Sequence, residues 1–277
     1  RSSLAESPRA PVGTAFAAGR GMESFVLDVR YGLRSLRKAP GFTVIAALAL
    51  ALGIGANTVL FSVISFSLLR PLPFPEPERI VIFNETAPNF PASSVAWLNY
   101  LDWKAQVGDL FTRFAAVRRD SFNLTSSGEP ERLLGRMATA DLLPLTGVRP
   151  IVGRLYTAEE DQPGAPRTVV LTYGLWQRRF GGDPGIVGKS IQLSGDSYTV
   201  VGILPKDFRF LSGGDLFVPL GLFADRYPDR GMHPGIYVFG RMKPGVTLPQ
   251  VQKAMDAVSA RLAEAHQEMR GNGIHAA

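Results

Sequence analysis

The sequence predicts an α+β fold held behind one N-terminal transmembrane helix, and three observations predict it. Residues 42–69 run for 28 positions without a charge. Past them, the middle of the chain is written in short alternating or apolar stretches broken by glycine, proline and aspartate, the pattern of strands and turns. Segments with apolar residues at helical spacing stand nearer both ends of that remainder. Strands in the centre with helices outside them describe a mixed α/β domain carrying an inserted strand-rich subdomain.

Residues 1–21 are read as a disordered tail, and 22–41 as an amphipathic helix. In "MESFVLDVRYGLRSLRK" the residues Met22, Phe25, Val26, Val29, Leu33 and Leu36 share one stripe, while Arg30, Arg34, Arg37 and Lys38 lie mainly off it. Such a helix can rest in the headgroup layer with its cations toward anionic lipid.

The uncharged run "FTVIAALALALGIGANTVLFSVISFSLL" is long enough to cross a bilayer: as a helix it measures about 42 Å against a hydrocarbon core of about 30 Å. It exceeds the apolar stretch of a signal peptide and leaves through "RPLPFPEPER", without a small-residue cleavage site, so an uncleaved anchor is expected. Four cations precede the span within twenty residues and only Arg70 and Arg79 follow it, which puts the N-terminus in the cytoplasm and residues 70–277 outside it. Within the span Ala47, Ala51, Gly55, Thr58, Ser62 and Ser65 recur every three or four residues, and Asn57 sits near the midplane. Lipid rewards no such stripe, but a neighbouring helix does, through close backbone approach and hydrogen bonding. Further transmembrane helices, of the same or another chain, are therefore expected partners of this face.

In the exported part, prolines 71, 73, 75 and 77 resist helix, and "RIVIFNET" reads as a strand. "SSVAWLNYLDWKAQVGDLFTRFAAV" reads as a helix capped by Ser93 or Ser94, its tryptophans in the core. A strand pair is expected over 116–140 around "SSGEPE", followed by a loop-like stretch to Arg167. The strand "TVVLT", the short helix "YGLWQRRFGG" and the strand pair "KSIQLSGDSYTVVGILP", turning at Gly195-Asp196, come next. "DLFVPLGL" and "IYVFGRMK" read as strands, and a helix over about 248–266 carries Val251, Ala254, Met255, Val258 and Leu262 on one side.

Chemistry-bearing motifs are scarce. "GDPGIVGKS" (182–190) imitates a phosphate-binding loop, but Asp183 occupies the position of its first glycine and a strand, not a helix, follows. With no cysteine there are no disulfides, thiolate metal sites or cysteine nucleophiles. His233, His266 and His275 lack ligand spacing, and Glu159, Glu160 and Asp161 read as a solvated acidic loop. Of the +6 net charge, most sits before residue 42, so a nucleic-acid surface is not indicated. No catalytic residue, metal site or cofactor is expected.

Several separate stretches carry a resemblance. "DVRYGLRSLRKAPGFTVIAALALALGIGANTVLFSVI" with "LLRPLPFPEPERIV" resembles the first segment of MacB/FtsX-like permeases, particularly the duplicated orphan permeases common in acidobacteria. "VVLTYGLWQRRFGGDPGIVGKSIQLSGDSYTVVGILP" is similar to the signature run of the MacB-like periplasmic core domain, and "GRMKPGVTLPQVQKAMDAVSARLAE" to its closing strand and helix. The resemblance implies a bacterial inner-membrane protein, a fragment of a longer permease, with a two-lobed periplasmic domain at 70–277. One lobe is expected over about 75–143 plus 236–269, with the other inserted at about 144–235. It also makes 182–189 a connection between helix and hairpin, and implies a cytoplasmic ATPase subunit and a periplasmic partner. The function implied is the membrane and periplasmic portion of an ABC-type permease, transmitting work or exporting cargo without catalysing a reaction. The alternative is a membrane-anchored binding or signalling module without an ATPase.

Overall fold

The computed structural model describes residues 30, 34, 37–64, 74–87, 90–126, 128–210 and 213–277. The chain divides into two units, Arg1–Arg70 and Pro71–Ala277. The tail expected at 1–21 lies outside the described residues.

In the first unit, helix α1 spans Pro40–Ile64, 25 residues opened by a proline, the residue whose fixed φ and missing N–H suit a first turn. Val44, Ile45, Leu48, Leu50, Leu52 and Ile54 are all exposed on it. Its longest unbroken stretch of described side chains, 47–55, covers about 14 Å. Among the described residues no helix is long and apolar enough to cross a membrane.

The second unit is built on an eleven-stranded mixed sheet. In chain order the elements are β1 (Ile80–Ala87), β2 (Phe90–Ser93), α2 (Trp97–Val107), β3 (Phe111–Leu124), β4 (Glu131–Ala138) and α3 (Leu142–Leu145). Then come β5 (Val152–Gly153), β6 (Thr168–Leu171), α4 (Tyr173–Phe180), β7 (Ser190–Leu193), β8 (Asp196–Ile203) and β9 (Leu216–Pro219). The chain closes with β10 (Ile236–Met242), α5 (Leu248–Ala265) and β11 (Gly273–Ala276). The strand order is β11-β1-β10-β3-β4-β9-β6-β8-β5, with β2 on β1 and β7 between β8 and the end of β3. The two halves of the sheet meet where β4 runs parallel to β9, Gly135 opposite Leu216 through Ala138 opposite Pro219.

Both long helices of this unit cover one face. In α2 the stripe Trp97, Tyr100, Trp103 and Val107 is buried, and in α5 so is Val251, Met255, Val258 and Leu262. Each follows the 3.6-residue period. A capping box between Thr247 and Gln250 starts α5, with Pro249 in its first turn. These stripes pack on Phe83, Phe114, Met137 and Val238, the side chains that the pleat sends to that face. The opposite face, with Ala115, Val117, Ala138, Phe217 and Phe239, is covered in part by α3, Tyr156 and Phe210.

Several expectations need correction. The helix expected to run from Ser93 into "FTRFAAV" ends at Val107, because Gly108–Leu110 forms a 3-10 turn and Phe111 already begins β3. Neither serine caps α2: Ala96 is its N-cap residue, and the carboxylate of Glu85 on β1 accepts the Ala96 N–H at 3.0 Å. The β7–β8 turn is Ser194-Gly195, both at positive φ, with Leu193 facing Asp196, one residue earlier than the expected Gly195-Asp196. The stretch after β4 contains α3 and β5. The C-terminal residues form β11, which pairs with β1.

Candidate functional site

Arg30, Arg34, Arg37 and Lys38, expected at the membrane surface, all have helical backbone and are exposed. On α1 the residues Ala47, Ala51, Gly55, Asn57 and Thr58 are exposed as well. A methyl group added at Gly55 would meet nothing within 4 Å. The Thr58 hydroxyl donates to the Ile54 carbonyl at 2.8 Å, one turn back along its own helix. Ser62 lies in α1, while Ser65 lies outside the described residues.

In the folded unit two polar clusters stand where the chain passes between the halves of the sheet. The first passage follows β4. Asp161 reaches across it: one carboxylate oxygen accepts the Ala140 N–H at 2.9 Å and the other the Gly221 N–H at 2.7 Å. One side chain thus ties the residues just past β4 to those just past β9. Burial pushes its pKa up to about 6, and the two N–H donors offset only part of that. The acidic run is therefore not a solvated loop as a whole. Asp161 is a structural acceptor, and Glu160 forms a two-pronged pair with Arg154 at 2.7 Å on each side. That pair holds the Glu160 carboxyl below its ordinary range.

The second passage is the loop into β10. His233 Nε2 lies 2.8 Å from Glu85 Oε2, and Glu85 Oε1 accepts from the Asn99 side-chain amide at 2.9 Å as well as from Ala96. Asn99 in turn accepts from Arg230 at 2.7 Å, and Arg230 Nη1 stands 2.6 Å from Asp102. Glu85 and Asn99 are buried, so the loop is pinned by polar groups at the start of α2. Sequence spacing could not show this cluster, whose members come from β1, α2 and a loop more than a hundred residues away. Charged types on apolar elements were the one available signal.

The residues 182–189 connect α4 to β7, as expected. Gly181, Gly182 and Gly188 take positive φ, and Asp183 caps a 3-10 turn by accepting the Gly185 N–H at 2.8 Å. Lys189 is exposed at the start of β7, with Asp183 3.8 Å away. The carboxylate that spoils the phosphate-loop pattern is thus used to shape the turn. His233 meets Glu85, but among the described residues no group of His, Asp and Glu could hold a metal ion.

Known proteins share this architecture. The extracellular domain of the noncanonic ABC-type transporter YknZ from Gram-positive bacteria superposes with a TM-score of 0.53 at 12% identity, covering 71% of this chain and 99% of that one. The periplasmic region of MacB from Actinobacillus actinomycetemcomitans superposes with a TM-score of 0.52 at 14% identity, covering 71% and 87%. At such identities the likeness is one of fold. No curated protein matches the sequence. The family described as MacB-like periplasmic core domain matches residues 43–258, from inside α1 to inside α5. With most of its length matched, the chain belongs to the MacB-like periplasmic core domain family.

Proposed function

We propose that the chain is the membrane and periplasmic portion of an ABC-type permease, and that it transmits work across the inner membrane to a periplasmic partner or cargo without catalysing a reaction itself. The observation that carries this reading is the extent of the family match, which begins at residue 43 and so includes most of the exposed apolar helix α1 with the folded unit. Residues 42–69 cross the bilayer, the cations at 30, 34, 37 and 38 stay at its cytoplasmic surface, and 70–277 fold in the periplasm. The face of Ala47, Ala51, Gly55 and Thr58 packs on further transmembrane helices, and a cytoplasmic ATPase subunit supplies the energy. Such coupling needs two arrangements with different partner contacts. Two lobes, about 75–143 with 236–269 and about 144–235, would supply them by moving at the passages that Asp161 and Glu85 pin.

The test joins topology to partnership. Alkaline phosphatase fused after Leu69 should be active and a fluorescent protein fused there dark, and an ATPase should co-purify under mild solubilisation. An active cytoplasmic reporter at that point would overturn the topology. Correct topology with no ATPase would replace the permease with the anchored binding module.

A further inference from the structure

The His233 ring is held between two acceptors. Its Nδ1 stands 3.0 Å from the carbonyl oxygen of Gly231, two residues back in its own loop, and its Nε2 stands 2.8 Å from Glu85 Oε2 on β1. A carbonyl oxygen only accepts, and so does an ionised carboxylate. Neutral imidazole carries one N–H and one bare lone pair, so in either tautomer one of the two contacts sets lone pair against lone pair. Both contacts hold together only when the His233–Glu85 pair carries one further proton. Glu85 Oε1 already accepts the Ala96 N–H at 3.0 Å and the Asn99 amide at 2.9 Å, so Glu85 serves as a carboxylate and the added proton belongs to the ring.

The charges around the pair do not stand in for that proton. Within the loop, Arg230 is committed to α2, its Nη1 2.7 Å from Asn99 Oδ1 and 2.6 Å from Asp102 Oδ2, and Asp229 accepts the Gly231 N–H at 2.7 Å. In the 3-10 turn Gln267–Met269, which reaches Asn99 through the Met269 sulfur, His266 and Glu268 stand 3.7 Å from each other, and Arg270 beyond it is exposed. Among the described residues no lysine or arginine forms an ion pair with Glu85. The Glu85 side chain is 2% exposed and that of His233 31%, and a cleft of about 340 Å³ opens beside both. Water can therefore deliver and remove the proton while the sheet stays folded.

We infer that the loop at 229–235 is a proton-operated latch, closed on β1 and the start of α2 while His233 is doubly protonated against Glu85, and released when that proton leaves. The closed loop needs a proton that the open loop can lose, so closure is favoured at low pH and the opening constant grows as pH rises, by up to about tenfold per pH unit. The latch leads straight into β10. Gly235 N–H donates to the Ser94 hydroxyl at 3.1 Å and Val95 N–H to the Ile236 carbonyl at 2.8 Å, so release loosens the join between β10 and the segment that opens α2. This inference does not depend on the permease reading.

Hydrogen exchange read by mass spectrometry tests this on the full chain in zwitterionic-lipid nanodiscs, between about pH 5 and 8, with rates corrected for intrinsic chemical exchange. Peptides over 229–235 should lose protection by about tenfold or more across that range, while those of α5 keep theirs. His233→Gln, which carries no titrating proton, should abolish the pH dependence of the loop, with unchanged protection of α5 showing that the fold survives. Asp161→Asn removes the other group that titrates in this window and should leave the loop profile unaltered. In the wild type, ¹⁵N shifts of labelled histidine, assigned by their absence from His233→Gln, should show the ring doubly protonated wherever the loop is protected. Loop protection independent of pH, the same pH profile in His233→Gln, or a neutral ring in the protected loop overturns the proposal.

Discussion

His233 and Glu85, 148 residues apart, meet with Nε2 2.8 Å from Oε2, and through this contact the loop into β10 is held against the first strand of the sheet. Glu85 is 2% exposed, and its second oxygen accepts from both Ala96 and Asn99. A carboxylate from β1 thus holds the N-cap residue of α2, at the helix end where the backbone N–H groups favour negative charge.

Glu85→Ala should therefore destabilise the folded unit by about 1–3 kcal/mol, because it takes away the acceptor of the buried Asn99 amide and the Ala96 N–H. Chemical denaturation of the full chain checks this: the midpoint should drop with an unchanged slope. A midpoint equal to that of the wild type would show that the cluster contributes nothing to stability.

Asp161 gives a dependence on pH. Its pKa rises from 3.8 to about 6 on folding, so the folded chain holds the proton more tightly than the unfolded one. The stability from this group is complete below pH 3.8 and is lost as pH rises through 6. Asp161→Asn removes the titration, so the stability difference, wild type minus variant, should shrink by on the order of 3 kcal/mol across that window. Equal slopes of stability against pH in the two proteins would refute the assignment.

Two glycines should respond in opposite directions. A methyl group at Gly202 would stand 2.1 Å from the Arg154 carbonyl oxygen, a backbone atom that cannot turn aside. Gly202→Ala should break the β5–β8 pairing, seen as lost hydrogen-exchange protection at the Ile151 and Arg154 amides that donate to β8. At Gly174 in α4 an added methyl meets nothing within 4 Å, and Gly174→Ala should stabilise by about 0.5–1 kcal/mol. A melting temperature lowered by Gly174→Ala would mean that α4 is constrained by something other than its own helix.

The small-residue face of α1 is tested by Gly55→Leu combined with Asn57→Leu. Bulk at Gly55 prevents close backbone approach, and loss of the amide removes hydrogen bonds worth about 0.6–2 kcal/mol each. Association that survives mild detergent in the wild type should be lost in the double variant; if cross-linking yields are identical, that face packs on no partner.

What could be read from the residues alone was what local chemistry dictates. The helix at Leu248–Ala265 was legible because its capping box, its proline and its apolar period lie within a few residues of one another. The same holds for β1, β10 and the β7–β8 hairpin, although the hairpin turn sits one position early: Ser194 takes a left-handed conformation that glycine would take more readily. The tie at the start of α2 was hidden because the acceptor of the Ala96 N–H is on β1, and Asp161 was misread because its two donors lie 21 and 60 positions away. The facing of Arg119 and Arg136 was equally hidden, since only the β3–β4 register sets it. Each miss is a tertiary pairing that leaves no periodic trace.

The placement of β1 also dictates an order of events during synthesis. Residues 80–83 hydrogen-bond to β10, and Phe83 faces Ala276 on the other side, about 190 positions further along the chain. Neither ladder can close until the ribosome has delivered nearly all of the unit, so the nascent chain carries Val81 and Phe83 on an unsatisfied edge throughout its elongation. Assembly of this sheet is a late, long-range event, slow by the measure of sequence separation, and a cell making the protein has to shield its earliest strand until its last one arrives.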